Sequence, residues 1–174
     1  TYEGRFFFVS EFVEGGRLKE LIGGKPASLT AFSSFVKDVL GALWYLHSKQ
    51  VIHRDINPKN LLVRPTGALV LIDFGLAHTP GHQLVSGGTR PYAGPEQFED
   101  SPRIQESSDI YGAGATMLFL LSGREPNWLE PGPVRKSVFR DQTRMLPPQL
   151  VDVIETSVQY EPRDRFQSVA EMSK

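Results

Sequence analysis

Val51-Ile52-His53-Arg54-Asp55-Ile56-Asn57-Pro58-Lys59-Asn60 and, eighteen positions after Asp55, Ile72-Asp73-Phe74-Gly75 are the stretches on which the fold turns. Between them lie two short apolar runs, Leu61-Leu62-Val63 and Leu69-Val70-Leu71-Ile72, joined across Pro65-Thr66-Gly67, which reads as a β-hairpin. Two carboxylates and a carboxamide at strand–loop junctions suit a magnesium phosphate site. Mg²⁺ takes hard oxygen ligands, commonly one or two carboxylates together with the phosphates themselves. The remaining carboxylate is free to orient a hydroxyl and take its proton.

Upstream, Phe6–Val9 reads as a buried strand broken by Glu14-Gly15-Gly16, and Leu18, Leu21 and Ile22 have the spacing of a short helix ended by Lys25-Pro26. Ser28 or Thr30 can cap a helix of roughly twenty residues, because Phe32, Phe35, Val36, Val39, Leu40, Leu43, Leu46 and His47 follow the 3.6-residue period. Downstream, Asp73 to Pro95 is a polar, Gly/Pro-rich loop of the length usually kept for function. Ser107–Leu121 reads as an apolar helix entered through Ser107-Ser108-Asp109 and stopped by Ser122-Gly123. The proline-rich 124–147 reads as irregular, a further helix follows Pro147-Pro148, and a last one follows Arg165-Phe166. The expected fold is mainly α (α+β), with a small hairpin at a cleft.

Bulk properties exclude more than they assign. The 174 residues carry a net charge of −1, so no overall field favours nucleic acid. There is no cysteine, which removes disulfides and thiolate metal sites and fits a cytoplasmic location. No apolar run reaches the ~18–20 residues of a membrane helix, and the start has no signal-peptide pattern. The opening Thr1, followed directly by strand-like sequence, is that expected of a piece of a longer protein. His47, His53, His78 and His82 have no metal-site spacing, and His53 reads as a structural histidine.

His-Arg-Asp, an Asn five residues after that Asp, and Asp-Phe-Gly together resemble the catalytic and metal loops of eukaryotic-type protein kinases. The rest follows in order. Gly88–Glu96 resembles the end of the activation segment, with Gly94 where Ala is usual. Ser108–Gly114 resembles the helix behind the catalytic loop, Arg163–Phe166 the late arginine signature, and Phe8–Gly16 the hinge. The resemblance implies a kinase C-terminal lobe with its hinge over residues 1–174. The N-terminal lobe, with its Gly-rich loop and strand lysine, is expected outside this chain.

It also implies roles. Asp55 orients the substrate hydroxyl and accepts its proton, while Asn60 and Asp73 hold the magnesium ions that bridge the phosphates of ATP. The Glu11 carbonyl and the Val13 backbone meet the adenine edge, Leu62 its face, and Ser10 lies at the gatekeeper position. Glu96 and Arg165 pair in the interior, and Asp109 accepts from the catalytic-loop backbone near His53 and Arg54. Arg54 either pairs with a nearby carboxylate or receives a phosphorylated loop residue. Asn57 replaces the usual phosphate-directed lysine; Lys59 is expected to supply that charge, and a lysine restored at 57 to stand in for it. Arg17 replaces a common acidic ribose contact, and Thr89 favours Ser/Thr specificity. The implied function is a protein Ser/Thr kinase, inactive as this fragment alone. The alternatives are a pseudokinase-like binding module and, against residues 88–96 and 108–114, a small-molecule phosphotransferase.

Overall fold

Hydrophobic helices organise the computed structural model, which describes residues 10–81, 84–99, 104–127 and 139–174. The sequence-predicted strand Phe6–Val9 lies outside the described residues. The elements begin with β1 (Gly16–Arg17), α1 (Leu18–Ile22) and α2 (Leu29–Ser48), followed by the hairpin β2 (Leu61–Val63) and β3 (Leu69–Leu71). After the long loop come α3 (Glu106–Ser122), a helical segment at 139–143, α4 (Pro148–Ser157) and α5 (Val169–Met172). The described residues are thus mostly helical, with one antiparallel three-stranded sheet in the order β1-β2-β3.

Local chemistry sets the boundaries. Ser28 caps α2, its Oγ accepting from the Ala31 amide at 3.2 Å, and Phe32, Phe35, Val39, Leu40 and Leu43 form the buried stripe. In α1 the break comes earlier than Lys25-Pro26: Gly23 takes a left-handed conformation (φ 55°) just after Ile22. The entry to α3 also differs from expectation. Gln105 is the cap, exchanging bonds with Ser108 in a capping box, while Ser107, Ser108 and Asp109 lie buried inside the helix. Residues 139–143 are helical where the prolines suggested irregular chain.

α3 is buried on every side from Ser107 to Leu120, which makes it the axis of the lobe. Its glycines allow that burial. A Cβ on Gly112 would sit 2.7 Å from the Ile56 carbonyl oxygen, and one on Gly114 would sit 2.4 Å from the Ser157 Cβ. The loop carrying Ile56 on one side and α4 on the other therefore pack directly against the helix backbone. α2 is tied to the same axis, because the Ala27 amide donates to the Leu120 carbonyl at 2.7 Å. Leu43, Leu61, Ile110, Leu118 and Ile154 are fully buried between these elements.

The sheet sits at one edge. β2 pairs Leu61, Leu62 and Val63 with Leu71, Val70 and Leu69, and its other edge pairs Leu62 with Arg17 and Val63 with Gly16. The start of β3 is fixed from α2, where the Asp38 carboxylate accepts from the Leu69 amide at 2.8 Å. The hairpin thus hangs from a helix, with Leu61 at its start fully buried and Val70 to Ile72 at its end facing open space.

Candidate active site

Asp109 positions the catalytic loop from below. Its two oxygens accept from the His53 amide at 2.9 Å and the Arg54 amide at 2.7 Å, and His47 Nε2 lies 2.8 Å from the same carboxylate. Two adjacent amides can both point at one carboxylate only if the chain turns sharply. Arg54 accordingly sits at φ 71°, a conformation non-glycine residues seldom adopt. His53 is fully buried and braces the next strand, donating from Nε2 to the Ile72 carbonyl at 3.2 Å, with its ring edge-on to Phe74. Burial pushes its pKa below the usual histidine value, against the opposing pull of Asp109, the Ile72 carbonyl, Asp55 and Asp73.

That shift predicts a pH dependence. The folded protein resists protonating His53, whereas the unfolded chain protonates it near pH 6.5. Its contribution is therefore complete above about pH 6.5 and is lost as the pH falls below that value. Stability measured by urea unfolding should fall by up to about 1.4 kcal/mol per pH unit from this group. His53→Phe should flatten that part of the profile; an unchanged slope in the variant would assign the dependence to other groups.

Above this base the site assembles around Asp55. Asn60 Nδ2 donates to the Asp55 carboxylate at 2.7 Å and to its carbonyl at 3.0 Å, and the Thr89 amide donates to the other carboxylate oxygen at 3.0 Å. Asn60 is joined in turn to the Asp73 strand end, since the Ile72 amide donates to the Asn60 carbonyl at 2.9 Å. Asp73 follows with φ 66°, and one of its oxygens accepts from the Gly75 amide at 3.1 Å. The structure thus brings Asp55, Asn60 and Asp73 to one place.

The donor set suits a hard cation shared with phosphates. Both Asn60 amide bonds go to Asp55, leaving its oxygen as a ligand, and the second Asp73 oxygen takes no bond from the Gly75 turn. Among the described residues there is no cluster of three His, Cys, Asp or Glu that would hold a metal unaided. Mg²⁺ held by a carboxylate, an amide oxygen and substrate phosphates needs no such cluster.

Beside Asp73 opens a cleft of about 580 Å³, walled by Ser10, Glu11, Val13, Val70, Leu71, Ile72, Asp73, Phe74 and Gly75. The hinge residues and the metal-loop residues therefore face one space. The Glu11 side chain turns to Arg64 at 2.8 Å. Leu62, half-buried in the middle strand, is not among the cleft walls.

Other sequence-predicted residues fall differently. Asn57 is buried and closes the loop on itself: its Nδ2 donates to the Asp55 carbonyl at 3.0 Å and its Oδ1 accepts from the Lys59 amide at 2.9 Å. A lysine at 57 would break both bonds, so a simple return of charge to that position does not follow. Lys59 is exposed. Among the described residues Arg54 pairs with no carboxylate side chain; its guanidinium donates to the carbonyls of Leu76 at 3.3 Å and Val85, in the loop above it. Burial lowers its pKa, with Asp109 opposing. Sequence reasoning missed Gln97, which is fully buried and donates to the carbonyls of Arg54 and Gly87 at 2.8 and 2.9 Å. Its only signal was a polar residue directly after Glu96.

Glu96 and Arg165 form the buried pair, with both guanidinium nitrogens 2.8 Å from the carboxylate. The glycine at 94 has a physical reason: a Cβ there would lie 2.4 Å from Glu96 Oε2.

This helical body, whose hairpin brings Asp55 and Asn60 close to Asp73 at the wall of the cleft, has the architecture of a phosphoryl-transfer domain. The model of the protein kinase domain matches residues 1–172, and the chain belongs to that family. It is 32% identical to Serine/threonine-protein kinase C of Synechocystis sp. over 97% of this chain and 34% of that protein. It is 33% identical to Serine/threonine-protein kinase PknA of Nostoc sp., over 97% of this chain and 32% of that one. PknL of Mycobacterium tuberculosis is 30% identical over 92% of the chain and 43% of its own length. The chain spans about a third of the length of the first two relatives.

Proposed function

We propose that this chain is the C-terminal lobe and hinge of a protein Ser/Thr kinase that transfers the γ-phosphoryl group of ATP to a protein hydroxyl. The observation that carries the reading is Asp55, held between the Asn60 amide and the Thr89 backbone, with the Asn60 carbonyl in turn bonded to Ile72, the residue before Asp73. A carboxylate so fixed orients an acceptor hydroxyl and takes its proton as the phosphorus–oxygen bond forms. Asn60 and Asp73 would hold Mg²⁺, which when bound neutralises charge on the phosphates. Glu11 and Val13 would meet the adenine through their backbone at the cleft, with Leu62 against its face. No helix among the described residues is long and apolar enough to cross a membrane; with no cysteine in the chain, we assign it to the cytoplasm.

The Gly-rich loop and its lysine, which cover the phosphates in this family, would come from an N-terminal lobe outside these 174 residues. A radiolabel assay tests the whole reading. The protein with that lobe should phosphorylate a Ser or Thr peptide, and this chain alone should turn over far below the ~1 s⁻¹ of a slow kinase. No transfer by the complete protein would favour the binding-module alternative.

Lys59 is the proposed source of the cation that Asn57 does not provide. Lys59→Ala should lower kcat by about 10²–10³-fold, as loss of an electrostatic donor at a transition state does. Near-normal kcat in steady-state assays would remove Lys59 from the phosphoryl site.

A further inference from the structure

A chain of contacts leaves Asp55 and comes back to the same loop at Pro58, three residues on. The Thr89 amide bonds Asp55, and the Tyr92 amide donates to the Thr89 carbonyl at 2.8 Å. The Tyr92 hydroxyl donates to Glu125 Oε2, and Lys19 Nζ lies 2.6 Å from Glu125 Oε1. The Lys19 amide then donates to the carbonyl of Pro58, the neighbour of Lys59. This ring borders the place where an acceptor hydroxyl must approach Asp55, so the charges on it meet the substrate chain.

Those charges are unbalanced. Both Glu125 oxygens are engaged, one by Lys19 and one by Tyr92, so its negative charge is already matched by the Lys19 ammonium. Burial raises the Glu125 pKa, but the Lys19 contact, the Tyr92 hydroxyl and the field of Lys59 outweigh it and hold the carboxyl below its usual range. Glu125 is therefore ionised and already paired. Lys19 is half-exposed with more N–H donors than Glu125, its one ion-pair partner among the described residues, uses, and Lys59 is exposed. Arg17, two residues before Lys19, and Arg124, next to Glu125, are exposed as well.

We propose that Lys19 and Lys59 form a cationic subsite for the substrate chain, so that the accepted hydroxyl is one flanked by Asp or Glu. The proposal rests on the kinase reading above and names its substrate class. Glu125 holds Lys19 in place as a positioning residue, while Lys19 makes the contact. A basic substrate side chain would meet two ammonium groups and an occupied carboxylate.

Peptide binding to the 174-residue chain, followed by ¹⁵N NMR without ATP, tests this separately from catalysis. The probes are three peptides with one serine, flanked by Glu, Ala or Arg. The Glu peptide should bind about three- to tenfold tighter than the Ala peptide and move the amides of Lys19, Lys59 and Glu125. The margin should shrink in high salt, and Lys19→Glu should abolish it. Lys19→Gln, a milder change, should reduce it if the reversed charge disturbs folding. Equal or tighter binding of the Arg peptide, a Glu preference that survives Lys19→Glu and Lys19→Gln, or no binding of any peptide would overturn the subsite. Failure of phosphotransfer with the Glu preference intact would instead count against the catalytic reading.

Discussion

Asp55→Asn, introduced into a protein that carries the proposed N-terminal lobe as well, is expected to lower kcat by about 10²–10⁴-fold with little change in ATP affinity. The geometry explains the split. Asp55 is bonded to Asn60 and Thr89 and is not among the walls of the hinge-lined cleft, which fits the role proposed for it on the acceptor rather than on the nucleotide. An asparagine keeps the shape and an oxygen for the Thr89 amide but loses the basic carboxylate. Asp73 does line the cleft. Asp73→Asn should therefore weaken Mg-ATP binding as well as turnover, since a neutral oxygen is a poorer ligand for a hard cation. Steady-state kinetics with ATP and peptide varied separately give both constants. Equal and mild losses from the two substitutions would contradict the division of roles.

Much of this arrangement was legible because it rests on periodicity and spacing. The stripe from Phe32 to Leu43 specifies α2 whatever surrounds it, and the apolar runs on either side of Pro65-Thr66-Gly67 specify the hairpin. The pairing of Glu96 with Arg165 and the grip of Asp109 on the loop followed from the family resemblance, and the structure contains both. What was not legible depends on tertiary context. β1 is two residues long and exists only because β2 offers it an edge, so no periodic signal could show it. Ser107-Ser108-Asp109 looked like a cap from composition, yet burial against the catalytic loop draws those residues inside the helix and leaves capping to Gln105. The left-handed Arg54 and Asp73 are imposed by their partners, not by their own preferences. Asn57 read as a missing charge, and in the fold it is a brace with two bonds of its own. Lys19 and Glu125 are more than a hundred residues apart in sequence, which no local pattern spans.

Arg165→Ala is expected to cost about 3–5 kcal/mol of stability, the range for breaking a buried ion pair by removing one partner. Its five N–H groups all have acceptors: Nε the Gln159 carbonyl, one terminal nitrogen Glu96 and the Ser107 carbonyl, the other Glu96 and the Tyr160 carbonyl. The guanidinium also lies over the Tyr111 ring at 4.7 Å. Alanine would leave the Glu96 carboxylate, 2% exposed, without its cation, and would open space beside Tyr111. Against the 5–15 kcal/mol of a typical domain, such a loss brings the lobe near unfolding. The substitutions should not be equal. Glu96→Gln keeps an oxygen and the shape beside Gly94, and Arg165 retains the Gln159, Ser107 and Tyr160 carbonyls, so its cost should be the smaller. Urea unfolding of the two single variants and the double variant measures the coupling. A loss below about 1 kcal/mol for Arg165→Ala, the level of an exposed pair, would show that the loop carrying Glu96 and the segment carrying Arg165 are held together by other contacts.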